Sequence, residues 1–188
     1  MPIIFLDRVI IDLKKLSAST IRTNGKLASL LIALTLNGDM IKPLCILSTD
    51  IMYNGLYEYR VLLYAYTNNG LVDDTNLIDW FEYALGKFEP LYFVSQEFDF
   101  ILSKSFCKYL NEKNIGCITF PRGTCCLLSP FRKIIPLLIA TLNEEAQKIA
   151  RLEDIKDDAY LAWISFAIDR IFQEHPKLTE HAFDVLLS

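Results

Sequence analysis

The sequence predicts an α/β fold in which a mixed β-sheet, antiparallel in its first strands and parallel in its later ones, is flanked by helices. Three observations support this prediction. Strand-like apolar runs joined by short turns fill the first part of the chain, and strands alternate with helices in the second part. The 188 residues have the length of one domain, and 52% of them are hydrophobic, which is enough to build a large core.

The first three predicted strands are antiparallel. IIFLDRVIIDL (3–13) is rich in β-branched and apolar residues, as a strand is. LASLLIALTL (27–36) and IKPLCILS (41–48) then flank Asn37-Gly38. An Asn-Gly pair between two apolar runs is typical of a β-hairpin, because both residues tolerate the positive φ of a tight turn.

A fourth extended run, YEYRVLLYAYT (57–67), is predicted as one strand that ends at the turn signal Asn68-Asn69-Gly70. Its tyrosines alternate like the side chains of one strand face. They favour packing on the sheet over a platform for stacking bases. The tyrosines in question are Tyr53, Tyr57, Tyr59, Tyr64 and Tyr66.

The next part of the chain alternates helix and strand. VDDTNLIDWFEYALGKF predicts a helix with Asp74 or Thr75 as its N-cap and Gly86 at its end. Because parallel strands need a crossover helix, the segments that follow predict β-α-β units. In order, these segments are a buried strand LYFV (91–94), a helix ILSKSFCKYLNEK (101–113) and a buried strand IGCITF (115–120).

The C-terminal part is predicted to be helical from about residue 128. One helix starts or breaks near Pro136, a second covers 157–173, and a short last helix covers 177–187. This order of elements suits an RNase H-like fold. The predicted domain covers 1–145, and 146–188 form a C-terminal helical extension packed on the same domain.

Charge and cysteine usage exclude several classes of protein. The net charge is −4 and the pI about 5.2, which argues against free nucleic acid as a partner of this domain. No segment approaches the roughly 20 apolar residues that cross a membrane. No C-x-x-C pair occurs, so the cysteines predict reduced thiols in an intracellular protein; they are Cys45, Cys107, Cys117, Cys125 and Cys126.

Two acidic clusters, Asp73-Asp74 and Asp154-Asp157-Asp158, are better explained as helix caps and first-turn charges than as metal ligands. The chain contains no G-x-G-x-x-G, P-loop or G-x-S-x-G motif. Nucleotide-loop and serine-hydrolase functions therefore find no support in the sequence.

A series of segments resembles the DDE endonuclease domain of the pogo/Tigger transposase group, which also gave rise to centromere protein B and jerky. The segments are FLDRVI, LASLLIALTLNGDMIKPLCIL, TNNGLVDDTNLIDWFEYAL and LYFVSQEFDFILSKSFCKYLNEKNIGCITFPRGTCCLLSP. Together they cover roughly residues 3–145. The resemblance implies strand cleavage and transfer by two Mg²⁺ ions about 4 Å apart, held by carboxylates.

The resemblance also assigns the metal-binding positions, and most of them have changed. Asp7 matches the first carboxylate, but the second falls on Ser95 and the third on Arg132. Phe100 replaces a histidine, and Arg8 replaces an acidic residue beside the first aspartate. One carboxylate cannot hold two divalent ions, and a cation in the third position repels them. The sequence therefore predicts no divalent metal and no enzyme.

An alternative keeps the nuclease active. Glu97 and Asp99 share strand parity with Ser95, so a longer strand would direct either side chain into the site. A third carboxylate is harder to find, because Glu112 is the only acidic residue from 100 to 143 and lies on a predicted helix. An active metal-dependent DDE-type endonuclease or transposase domain stays the alternative function.

The chain also resembles domesticated fungal regulators such as the yeast activator of pyruvate decarboxylase and thiamine genes. This resemblance implies a nuclear transcription regulator that reaches DNA through a separate domain outside this chain, with coactivators and a second copy of itself as partners. No cofactor is required. Asp7, Arg8, Ser95 and Arg132 are the predicted ligand site, and the two guanidinium groups favour an anion, with thiamine diphosphate as the candidate regulatory ligand. Arg132 could instead pair with Asp7 or point to solvent.

Overall fold

The structure, a computed structural model, describes residues 3–13, 27–50, 55–85, 92–96, 103–121, 124, 129–149 and 157–174. These residues form a seven-stranded sheet with helices on both faces. The strands are β1 Ile3–Asp12, β2 Leu27–Thr35, β3 Met40–Ser48, β4 Tyr57–Tyr59, β5 Leu62–Thr67, β6 Tyr92–Ser95 and β7 Gly116–Thr119. The helices are α1 Asp74–Trp80, α2 Lys104–Glu112, α3 Ile134–Ile149 and α4 Asp157–Glu174.

The strand order across the sheet is β4-β5-β3-β2-β1-β6-β7. β1, β2 and β3 pair antiparallel, and the hairpin between β2 and β3 turns at Gly38 with φ 86°. β6 pairs parallel to β1, and β7 pairs parallel to β6. The predicted mixed sheet, antiparallel first and parallel later, is confirmed.

The run at 57–67 differs from the prediction of one strand. It forms two antiparallel strands, β4 and β5, that reverse at Arg60 with φ 49°. The guanidinium of Arg60 lies 5.7 Å from the centre of the Tyr59 ring. β5 then pairs parallel to β3. The Tyr57 and Tyr64 rings stack at 5.3 Å, as sheet packing of the tyrosines predicts.

Two further predictions need correction. Asp73, not Asp74 or Thr75, is the N-cap of α1, because its carboxylate accepts a 2.8 Å hydrogen bond from the backbone N–H of Asn76. The strand predicted as buried at 115–120 is mostly exposed in the structure. In the described part of the chain, it is the last strand of the sheet and pairs with β6 only.

The two faces of the sheet carry separate hydrophobic clusters. On β1, Phe5 and Val9 pack with buried residues of α3 and α4. Ile4 and Leu6 point to the other face and pack with residues of α1 and α2. Because successive side chains of a strand alternate between faces, Asp7 lies on the α3–α4 face. This alternation positions the candidate site.

The C-terminal helices of the described chain pack on the sheet. A 3₁₀ turn, Pro130–Arg132, leads into α3, which begins close to the predicted start at Pro136 and continues to Ile149. α4 adds buried Trp163 and Ile164 to the α3–α4 cluster. The helix predicted at 177–187, Asp154 and Gly86 lie outside the described residues, and the 1–145 and 146–188 boundaries stay a prediction. No described helix is long and apolar enough to span a membrane.

Candidate functional site

The candidate site is built around Asp7, a carboxylate that is only 2% exposed near the middle of β1. The backbone N–H of Arg8 donates to Oδ1 at 2.8 Å. The side-chain amide of Gln96 donates to both oxygens, at 3.0 and 3.1 Å. The hydroxyl of Ser129 donates to Oδ2 at 3.1 Å. Both oxygens of the buried carboxylate therefore have hydrogen-bond donors within the protein.

Strand register brings Gln96 to Asp7. β6 runs parallel to β1 with Leu6 opposite Ser95, so the next residues on each strand, Asp7 and Gln96, also lie opposite each other. Since Val94 packs in the α3–α4 cluster, strand alternation places Gln96 on that same face. The amide of Gln96 thus reaches the carboxylate from the end of the neighbouring strand.

Ser129 reaches the site from the segment before α3. Its side chain is buried and caps the 3₁₀ turn by accepting a 3.2 Å hydrogen bond from the backbone N–H of Phe131. The same hydroxyl donates its proton to Asp7. Ser129 therefore ties the start of the C-terminal helices to the central strand.

Burial raises the pKa of Asp7 above its ordinary value, because the charged carboxylate loses its hydration. The hydrogen bonds from the Arg8 backbone, Ser129 and Gln96 lower the pKa, as does the charge of Arg8. Burial is the larger effect, so the net direction is upward.

The structure does not bring the four predicted site residues together. Ser95 is fully buried, but it follows Val94 by one residue and so points to the α1–α2 face, away from Asp7. Its hydroxyl has no hydrogen-bond partner among the described residues. Arg8 follows Asp7 by one residue, so its side chain also points to the α1–α2 face. Its hydrogen bond to Asp7 comes from the backbone N–H.

Arg132 is half-buried in the 3₁₀ turn, three residues after Ser129. Within the described chain, no hydrogen bond or ion pair joins its guanidinium to Asp7. The pairing of Arg132 with Asp7, which the sequence left open, is therefore absent from the described residues. Glu97, Asp99 and Phe100 lie outside the described residues.

No protein-family model and no curated protein matches this chain. Among solved structures, the chain is similar to the HTLV-2 integrase catalytic core domain in complex with magnesium in its trimeric form. The TM-score is 0.51 at 10% identity, over 90% of this chain and 85% of that one. The chain has an RNase H-like fold.

The chain is also similar to two other solved structures. The dimeric form of the same HTLV-2 integrase core gives a TM-score of 0.49 at 10% identity, over 90% of this chain and 86% of that one. The Mos1 transposase catalytic domain with raltegravir and Mg gives 0.40 at 11% identity, over 96% and 83%. The likeness to the trimeric form, at 10% identity, shows the fold alone, so the predicted pogo/Tigger group stays a prediction.

The described residues of this RNase H-like core do not fit a two-metal site. Mg²⁺ binds to oxygen lone pairs, and two such ions need several carboxylates to balance their charge. Around Asp7, the amide of Gln96, the hydroxyl of Ser129 and the N–H of Arg8 all present protons to the carboxylate. In the part of the chain that the structure describes, no three His, Cys, Asp or Glu residues form a metal-binding group.

The sequence interpretation missed Gln96 and Ser129 as partners of Asp7. A signal for Ser129 was present, because serine before proline is a common cap of a helical turn. Gln96 carried no such signal. Its role depends on the register between β1 and β6, which sets the face on which each residue after β6 lies.

Proposed function

We propose that this domain is a catalytically inactive RNase H-like core of the transposase type, which serves a DNA-binding transcription regulator through protein contacts and not through strand cleavage. The observation that carries the proposal is the set of hydrogen bonds around Asp7. Its carboxylate is buried and accepts bonds from Gln96, Ser129 and the Arg8 backbone.

The electrostatics of this site oppose catalysis by two metals. Two divalent ions bring four positive charges, and among the described residues that are hydrogen-bonded at this site only Asp7 is acidic, so they supply at most one negative charge. Burial further favours the neutral form of this carboxyl group by raising its pKa. Metal entry would also separate Gln96 and Ser129 from their acceptor, and each buried donor left without a partner costs about 1 to 3 kcal/mol.

The regulatory role comes from the resemblance to domesticated fungal regulators. In such a protein, a separate domain outside these residues reads DNA in the nucleus, and this domain contacts coactivators or a second copy of itself. Thiamine diphosphate stays a predicted regulatory ligand. Arg132 is its half-buried candidate contact, whereas Arg8 and Asp7 point to opposite faces of the sheet.

A nicking assay tests the absence of catalysis. Supercoiled plasmid incubated with the domain and Mn²⁺ should be nicked no faster than with the Asp7→Asn variant, because neither protein holds the metal pair. Asp7→Asn is the matched control, since it keeps the size and shape of the side chain. Nicking by the unmodified domain that disappears in Asp7→Asn would establish the nuclease alternative.

A further inference from the structure

The outer edge of β7 is a sheet edge that the described residues leave unpaired. In the described part of the chain, β7 is the last strand and pairs only with β6. None of its four residues is charged, and Cys117, Ile118 and Thr119 are all exposed. Native sheets commonly protect such edges with charges, prolines or covering segments, because bare edges pair with other strands.

The hydrogen bonds to β6 show which backbone groups of β7 are available. The backbone N–H of Phe120 donates to the carbonyl of Ser95 at 2.8 Å, which directs Phe120 towards β6. In a parallel pair, alternate residues direct both backbone groups to the same neighbour. Ile118 therefore also faces β6, whereas Cys117 and Thr119 direct their N–H and C=O groups outwards.

We propose that β7 pairs antiparallel with β7 of a second copy of this chain, with Ile118 on the two-fold axis. Cys117 then lies opposite Thr119 of the partner subunit, and each such pair exchanges two hydrogen bonds. The two-fold axis generates this pair twice, so four backbone hydrogen bonds join the two sheets. This inference deepens the interaction role proposed above by assigning it a surface.

Symmetry and existing hydrogen bonds select this register. A two-fold axis perpendicular to a continuous sheet keeps each side chain on its face, so the axis must pass through a residue and not between Cys117 and Ile118. An axis at Cys117 would place Thr119 opposite Ile115, whose N–H already donates to the carbonyl of Leu110 at 2.9 Å. The axis at Ile118 uses only residues of β7.

The exposed side chains next to this edge support a second copy as the occupant. Ile118 is 49% exposed and Tyr92 is 40% exposed, and the register of β6 and β7 places both on the same face of the sheet. With Ile118 on the axis, the two isoleucines meet at the pair where strand side chains come closest. The β7 edge has no charged residue, so it offers no ionic partner to a charged peptide. A second copy supplies a β7 edge that is equally uncharged.

Analytical ultracentrifugation over a concentration series tests the interface. The unmodified domain should show a monomer–dimer equilibrium, and Ile118→Lys should raise the dimer dissociation constant at least about tenfold, because two lysines would lie opposite each other. Phe166→Lys is the matched control. Phe166 is 48% exposed on α4, a helix that contacts β4 at the other end of the sheet, so this variant should dimerise normally.

Cross-linking tests the register. Copper phenanthroline with oxygen should join Ile118→Cys to its copy through residue 118, as mapped by mass spectrometry. The two thiols give two electrons and two protons to oxygen and form one S–S bond. The Cα atoms should be about 4.5 Å apart, within the range that disulfides span. The unmodified domain is the control, because Cys117 lies opposite Thr119 and should form no bond at residue 117.

A domain that stays monomeric, or a dimer that Ile118→Lys leaves intact, overturns the proposed interface. A dimer whose Ile118→Cys variant forms no bond at residue 118 overturns the register. None of these results changes the nicking comparison, so failure of the interface and failure of the proposed inactive core can be told apart.

Discussion

Asp7→Ala is expected to lower the free energy of unfolding by about 2 to 4 kcal/mol, because three donors lose their acceptor inside the protein. The donors are the Gln96 amide, the Ser129 hydroxyl and the Arg8 backbone N–H. Asp7→Asn should behave differently at neutral pH. It keeps one acceptor oxygen and removes the charge that burial disfavours, but its NH2 group faces donors where the second oxygen was, so we expect a smaller loss than in Asp7→Ala.

The raised pKa of Asp7 predicts how the stability of the domain changes with pH. Since the folded pKa of Asp7 is raised, the folded state holds this proton more tightly than the unfolded state does. The contribution of Asp7 to stability is fully present below its unfolded pKa and is lost as the pH rises through its folded pKa. The stability of Asp7→Asn relative to the unmodified domain should therefore rise over that same interval.

Urea unfolding at a series of pH values, from acid to neutral, measures both effects with the two variants side by side. The result that contradicts the role of burial is an Asp7→Asn variant that becomes less stable, relative to the unmodified domain, as the pH rises. An Asp7→Ala variant with unchanged stability would show that the three hydrogen bonds contribute nothing to the fold.

Gly70→Ala is expected to destabilise the domain by more than about 3 kcal/mol, because the new methyl group meets backbone atoms that cannot move aside. A Cβ at this position would lie 2.1 Å from the carbonyl oxygen of Leu27 and 3.2 Å from the backbone nitrogen of Ser48. The backbone of Gly70 also has a positive φ of 69°, and its carbonyl accepts a 2.7 Å hydrogen bond from the buried Ser29 hydroxyl. Gly70 therefore places the loop after β5 against the start of β2 and the end of β3.

Gly55→Ala is the matched control for Gly70→Ala. Gly55 also has a positive φ, 108°, but a Cβ there would have no atom within 4 Å. Thermal unfolding should show a smaller loss, of about 1 to 2 kcal/mol, which is the backbone strain alone. Equal losses in the two variants would show that the close approach at Gly70 does not determine stability.

Local patterns in the sequence predicted much of the sheet. The Asn37-Gly38 pair marked the hairpin, and the apolar run at 3–13 marked the central strand. The turn at Arg60 was missed because it contains no glycine, proline or asparagine, although Arg60 has a positive φ. The exposure of β7 was missed because an apolar run does not reveal whether its strand lies inside the sheet or at its edge.

The candidate site was predicted only in part for a related reason. The resemblance to the DDE domain assigned Asp7 to the first carboxylate position. It assigned the second position to Ser95, one residue before Gln96, and so missed the residue that bonds to Asp7. A shift of one residue changes the face of a strand, and only the pairing of Leu6 with Ser95 settles which residue lies beside Asp7.

Titration of the domain with Mn²⁺, followed by electron paramagnetic resonance of the free ion, tests most directly whether the carboxylate of Asp7 is closed to metal. With Gln96 and Ser129 bonded to it, the unmodified domain and Asp7→Asn should leave the same concentration of free Mn²⁺ at every step. Saturable uptake of two ions per chain by the unmodified domain, lost in Asp7→Asn, would contradict the closed site and restore the two-metal nuclease.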